Sequence, residues 1–282
     1  MSKFMVSLLV LLLFTCCLLA QDKPDVEKDK AAIKQAAHDY AEGFYEGSAE
    51  RMERALHPLL VKRGLIPSSQ VGSTFLVQMN SDMLVEATRS GMGKLAPEER
   101  GISYKLLDLT ENTASAKIFT ARFKDFLHLA KQNGQWRIVN VLWRLPAQQP
   151  SADAEKETDA IKKVMAVLHE GTRAKDAEAV QRVLHPEIAK RAFVQYGPGG
   201  KMVVQEANGE VLLEVVRSGR AAQQQGEIEP EISILDVYED MGSVKVTTPR
   251  SVDYVHLAKQ NGQWRIVNSL LAVQAAPTQP SK

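Results

Sequence analysis

Six polar side chains have the types and placement for chemistry: His57, Lys62, Arg63, Asp125, His128 and Asn140. Each recurs 128 residues further on, as His185, Lys190, Arg191, Asp253, His256 and Asn268. A carboxylate and an imidazole brought together can do general acid and base work, because burial and mutual charge tune both toward neutral pH. Each group also has a plainer use. His57 precedes Pro58 where a helix should end, and an imidazole there is stabilised by the helix terminus while bonding the backbone. Asp125 stands among apolar residues, where an unpaired carboxylate is costly, so Lys62 or Arg63 is its expected partner. Strand alternation puts Asp125, Leu127 and Leu129 on one face and Phe126, His128 and Ala130 on the other. Acid and imidazole then share a cavity only if a bulge intervenes. Asn140 falls on a face with Trp136, Ile138 and Leu142, either as a pocket hydrogen-bonder or as a satisfied core amide.

Other chemistries find less support. The histidines and aspartates are scattered without the close pairing of a metal motif, so no metal is expected. Nucleophile elbows, phosphate loops and dinucleotide fingerprints are absent from the sequence, and no cofactor is expected; Gly197-Pro198-Gly199-Gly200 lacks the Lys-Ser/Thr of a phosphate loop and reads as a hairpin turn. His38 and His169 have no counterpart in the other copy and read as surface residues.

The elements that must position these groups follow from periodicity. Ile33, Ala36, Ala37, Tyr40, Ala41 and Phe44 fall at helical spacing, which predicts an amphipathic helix ending near Gly47. A shorter helix follows, with Ser48 or Asp176 as N-cap, Glu50 or Glu178 in its first turn, and Pro58 or Pro186 stopping it. Residues 190–196 and 201–205 read as two strands around a turn. A third helix is expected over 82–90, closed by Gly91, and over 210–218, closed by Gly219. Three strand-like runs finish each copy, at 102–109, 114–130 and 135–145 in the first, and Asn133-Gly134 marks a hairpin between the last two. The middle run is long for one strand, and Pro249 within its second version predicts an edge position or a bulge. Helices followed by an antiparallel sheet is an α+β order.

The repeat fixes the organisation. Residues 128–140 recur letter for letter at 256–268, and the same spacing pairs Leu56-His57-Pro58 with Leu184-His185-Pro186 and Arg89-Ser90-Gly91 with Arg217-Ser218-Gly219. So long a period with only two copies means two complete domains and not solenoid units. The expected division is a signal over 1–20, a first domain over 21–147, a linker over 148–153, a second domain over 154–274 and a tail over 275–282, with each half folding on its own and the two pairing internally. The signal rests on Lys3, the apolar run 4–14, and Ala20 before polar residues, a pattern too short to span a bilayer. An exported chain cleaved after Ala20, periplasmic or extracellular, keeps neither Cys16 nor Cys17; lipidation on either is the rival reading. Of 35 Lys and Arg against 34 Asp and Glu, cleavage removes only Lys3. A neutral mature chain has no electrostatic handle for nucleic acid, and no membrane span is expected after signal removal.

Leu56-His57-Pro58, Lys62-Arg63, the segment 84–89, the segment 125–130 and Asn133-Gly134-Gln135-Trp136-Arg137 through Trp143 together resemble the "Putative lumazine-binding" family of the nuclear transport factor 2-like superfamily, over nearly all of both copies. The resemblance implies two tandem cone-shaped α+β domains, each a curved antiparallel sheet wrapped around about three helices with a pocket at the open end. Members of that superfamily include enzymes and proteins that only bind, so the fold alone does not choose. The candidate pocket residues are His57, Arg63, Asp125, His128 and Asn140, with His185, Arg191, Asp253, His256 and Asn268. The second copy replaces Trp143 by Leu271 and Phe126 by Tyr254, so aromatic-lined pockets would differ between the halves. The leading expectation is a non-catalytic protein binding a small molecule or a protein partner. A lyase, isomerase or hydrolase using an Asp/His pair, and a purely structural pairing module, are the alternatives.

Overall fold

The computed structural model describes residues 25–67, 74–147, 154–195, 201–225 and 229–273. The expected signal, the linker, the tail and the Gly197-Pro198-Gly199-Gly200 turn lie outside these residues.

In the first half, helix α1 (Val26–Glu46) starts where the Asp25 carboxylate accepts the Lys28 amide at 3.1 Å. It ends at Gly47, whose φ of 73° suits a residue without Cβ. Helix α2 (Ala49–Ala55) is capped by Ser48. Strands β1 (Leu56–Pro67) and β2 (Thr74–Asn80) follow, then helix α3 (Ser81–Arg89), a 3-10 turn at Pro97–Glu99, and strands β3 (Ser103–Leu109), β4 (Thr113–Phe119), β5 (Lys124–Gln132) and β6 (Gln135–Arg144). The sheet order is β2-β1-β6-β5-β4-β3, antiparallel throughout except that β1 runs parallel to β6. Asn133 and Gly134, both at positive φ, turn β5 into β6.

The second half repeats this as α4 (Ala154–Ala174), α5 (Ala177–Val183), β7 (Leu184–Gln195), β8 (Met202–Ala207), α6 (Gly209–Arg217), α7 (Arg220–Gln225), β9 (Glu231–Tyr238), β10 (Met241–Thr248), β11 (Ser251–Gln260) and β12 (Gln263–Val273). Its sheet order is β8-β7-β12-β11-β10-β9. The fold is α+β, two tandem cones.

Two expectations need correction, and one helix goes beyond them. The run 114–130 is two strands, because residues 120–123 form a turn in which Thr120 Oγ1 accepts the Phe123 amide at 3.0 Å. Pro249 accordingly sits between β10 and β11, where a missing amide costs nothing, and not at an edge or bulge. Helix α7 had no forecast; its segment carries no hydrophobic period long enough to signal a helix.

One face of each sheet wraps the helices of its own half. Ile33, Ala37, Met52, Ile118, Leu127, Ile138 and Val141 make that core in the first half, and Ile161, Met165, Val180, Val244, Leu257 and Ile266 in the second. The opposite faces meet each other. Leu65, Phe126 and Leu142 pack with Met241, Ala258 and Val267, while Phe193, Val204 and Leu270 pack with Ala130 and Val139. These two clusters exchange roles under the 128-residue spacing, so the halves are related by a pseudo-twofold axis. On that axis each residue meets its own counterpart: Ser115 Oγ is 3.1 Å from Ser243 Oγ, and the rings of His128 and His256 stack with centroids 3.5 Å apart. Lys117 bonds Asp236 at one flank and Lys245 bonds Asp108 at 2.8 Å at the other.

Candidate functional site

The sheet sorts the candidate residues onto two faces. Asp125 points into the first cone; Phe126 and His128 point to the other half. Strand alternation predicts this split for β5. For β6 it fails, because His128 pairs with Asn140 while Leu129 pairs with Ile138, leaving Val139 as the extra residue of a bulge. The bulge reverses the alternation: Trp136 and Ile138 lie in the cone core, yet Asn140 and Leu142 face the other sheet. The second half has the same bulge at Val267.

Six of the ten candidates therefore form one network between the halves. Arg63 Nη1 donates to Asn268 Oδ1 at 2.5 Å and to the Val267 carbonyl at 2.9 Å. Arg191 Nη1 donates to Asn140 Oδ1 at 2.7 Å, and its Nε and Nη2 reach the Leu59 carbonyl at 3.1 and 2.6 Å. With each amide oxygen held, Asn140 Nδ2 is left to donate to His128 Nδ1 at 3.2 Å and Asn268 Nδ2 to His256 Nδ1 at 3.4 Å. Both imidazoles are fully buried, with Nε2 unpartnered. Burial drives His256 down to about 3 and His128 well below the usual histidine range, the His256 charge and that of Arg191 adding to the effect on His128.

His57 is held locally. Its Nδ1 accepts the Leu59 amide at 3.1 Å and its Nε2 meets Gln132 Oε1 at 2.9 Å. His185 Nδ1 accepts the Glu187 amide in the same way.

Asp125 has a different setting. The Tyr40 hydroxyl donates to its Oδ1 at 3.1 Å, Lys62 Nζ donates to the same oxygen at 3.3 Å, and Lys62 also bonds the Tyr40 oxygen. Asp125 is 2 % exposed. Burial pushes its carboxyl up against the pull of the Lys62 charge, pushes the Lys62 ammonium down against that of Asp125, and raises Tyr40 well above the phenol range. The Lys62 nitrogen lies 5.0 Å from the ring centroids of Tyr40 and Trp143 and 5.4 Å from that of Phe123, an aromatic cage that favours its cation. Tyr40 was legible only as a helix-face residue; what marks it as more is the reach of its hydroxyl to Asp125 on β5 and Lys62 on β1.

This triad lines a cavity of about 160 Å³ walled by Phe44, Phe123 and Trp143, with Met92, 70 % exposed, at its edge. Gly64 makes the room. A Cβ there would fall 2.2 Å from Trp143 Cε2, so the indole lies flat on β1 only because position 64 has no side chain. Gly64→Ala is expected to push Trp143 off the wall, lower stability by about 1–3 kcal/mol and shift the indole emission; unchanged emission and urea midpoint would contradict this packing.

The second cone keeps the ion pair and loses the rest. Lys190 Nζ donates to Asp253 Oδ2 at 2.8 Å and to Ser269 Oγ at 2.9 Å, and Ser269 donates to Asp253 Oδ1 at 2.6 Å. Leu168, Ser251 and Leu271 stand where Tyr40, Phe123 and Trp143 stand in the first, and Ala192 replaces Gly64. His169, read from sequence as a surface residue, has a buried and unpartnered Nε2, because it occupies the position of Ala41 on the inward side of its helix. Among the described residues, no group of three or more His, Cys, Asp or Glu gathers to hold a metal, and no helix is long and apolar enough to cross a membrane.

A curved sheet around helices, twice over, with one parallel pair in each copy, β1/β6 and β7/β12, defines an α+β cone of the nuclear transport factor 2-like type. The family described as "Putative lumazine-binding" matches residues 28–144 and again 156–271, and the chain belongs to it. Solved structures similar to it include nuclear transport factor 2-like proteins of unknown function from Silicibacter pomeroyi (19% identity, 43% of this chain and 98% of that one, TM-score 0.35) and Shewanella baltica (16%, 45% and 100%, 0.35). Another, from Methylobacillus flagellatus, shows 20% identity over 43% of this chain and 94% of its own, with a TM-score of 0.34. A comparison with curated proteins finds no match.

Proposed function

We propose that this chain binds a small molecule in the cavity of its first half and carries out no reaction on it, the second half acting as a built-in pairing partner. The observation that carries the reading is the state of Asp125 inside an aromatic-walled cavity. Its Oδ1 accepts from both Lys62 and Tyr40, which ties the cavity's acid into the wall. Flat apolar walls with a few converging polar groups are what a small-molecule site needs. The second cone lacks those walls.

Purifying the full chain without denaturant, unfolding it and analysing the released small molecules by mass spectrometry tests this. A bound molecule is expected in the native protein and not in Gly64→Ala. Equal amounts in both would sink the cavity as its site. A conversion of that molecule that Asp125→Asn abolishes while binding persists would establish acid or base chemistry instead.

We also propose that the protein is exported, on the basis of Lys3, the apolar run 4–14 and Ala20. Intact-mass analysis of protein from its native envelope should give Gln21 as the first residue; retained residues 1–20, or lipid on Cys16 or Cys17, would refute it.

A further inference from the structure

We propose that the ligand of the first cavity is a neutral, single-ring molecule bearing a hydrogen-bond acceptor such as a carbonyl, and that Trp143 Nε1 and Lys62 Nζ read that acceptor. The inference rests on the reading of this cavity as a ligand site and narrows it.

Three observations converge. The first is size: about 160 Å³ is close to an engineered apolar cavity of roughly 150 Å³ that admits benzene. A single ring is the occupant that a space of this size takes. The second is charge. Lys62 and Asp125, both buried, already balance one another, so a charged ligand would bring an uncompensated charge into an apolar enclosure. A neutral one would not.

The third is the pattern of unused donors. Trp143, 8 % exposed, lines the cavity, and its indole N–H is buried with no acceptor. Buried donors are almost always satisfied, so one left open on a cavity-lining residue is a place for a ligand's acceptor. Lys62 has three N–H groups and spends two, on Tyr40 and Asp125. Both unused donors belong to residues in mutual contact, since the Lys62 nitrogen lies 5.0 Å from the Trp143 ring. The remaining wall is aromatic and aliphatic, suited to the faces of a ring. Trp143 is therefore a specificity-determining residue, and Gly64 is the position that allows it to lie there.

The test uses the full chain and four probes by ligand-observed NMR titration: acetophenone, toluene, benzoate and the bicyclic pteridine lumazine. Acetophenone should bind about tenfold more tightly than toluene, the worth of one hydrogen bond to a buried donor, and more tightly than benzoate or lumazine. In Trp143→Phe, which keeps an aromatic wall, toluene binding should persist while the preference for acetophenone shrinks. Gly64→Ala should weaken all four, and thermal melts of both variants confirm that they fold. Equal binding of toluene and acetophenone, an unchanged preference in Trp143→Phe, or tightest binding of benzoate or lumazine would overturn the ligand class while leaving the cavity as a site. Failure of all four to bind the wild-type chain at millimolar concentration would overturn the cavity reading, and this inference with it.

Discussion

Taking the protein from pH 7.5 to pH 5 is expected to lower its unfolding free energy by about 4 kcal/mol through His128 and His256 alone. The two rings stack at the pseudo-twofold axis with no water-exposed surface, and burial holds both far below the histidine value of the unfolded chain. A base whose folded pKa is depressed stabilises the fold fully above its unfolded pKa of about 6.5 and loses that contribution as pH falls toward the folded value. Each unit of pH in that window is worth about 1.4 kcal/mol per imidazole, hence about 2 kcal/mol each at pH 5. Protonation would also place two cations face to face, with Arg63 and Arg191 feeding the same network. His57, His169 and His185, also lowered by burial, act in the same direction. Asp125 and Asp240, raised by burial, oppose it, since a raised carboxyl favours the fold as pH drops. Urea unfolding at several pH values measures the slope. The double variant His128→Phe/His256→Phe keeps the stacked rings and removes the titration, so its stability should change much less between pH 7.5 and 5. If wild type and double variant lose stability in parallel, the stacked pair is not the acid-sensitive element.

How much of this was legible in the sequence depends on which face of the sheet a residue serves. The repeat, the caps at Ser48 and Asp176 and the hairpin at Asn133-Gly134 depend on local chemistry, and all three appear where local rules place them. Asp125 and its lysine were legible because a carboxylate among apolar neighbours demands a partner. Asn140 was not, because a bulge costs one residue and leaves no mark in hydrophobic alternation. The letter-for-letter identity of 128–140 and 256–268 has a physical reading visible only with both halves in view. A residue on or near a twofold axis meets its own counterpart, so His128, Asn140, His256 and Asn268 must be matched for Arg–Asn–His to close from both sides. Cavity residues carry no such constraint. Tyr40, Phe123 and Trp143 differ from Leu168, Ser251 and Leu271, so the difference between copies is the better pointer to a ligand, and the likeness is the pointer to the interface. An isolated half would expose Leu65, Phe126 and Leu142 or Phe193 and Leu270, so the expectation that each half folds alone is best examined together with its self-association.

Replacing Arg191 by Ala is expected to destabilise the chain by about 3–5 kcal/mol, the usual cost of breaking a buried charged network from one side. Arg191 has no exposed surface, and its guanidinium holds the Leu59 carbonyl, Asn140 Oδ1 and Glu206 together. Without it, Asn140 Oδ1 becomes a buried acceptor lacking this donor, the Leu59 carbonyl loses the same donor, and the orientation of the Asn140 amide toward His128 is no longer enforced. The loss falls on contacts between the halves, because Leu59 and Asn140 belong to the first and Arg191 to the second. Arg63→Ala should act similarly, its bonds to Asn268, Gln78 and the Glu187 carbonyl being the mirror set. Arg54→Ala is the control. That guanidinium, 60 % exposed in its pair with Asp39, should cost no more than about 1 kcal/mol, as solvent screens it. Urea unfolding of the three variants gives the comparison directly. A cost for Arg191→Ala no larger than that for Arg54→Ala would mean that the two cones are held together by their apolar clusters alone.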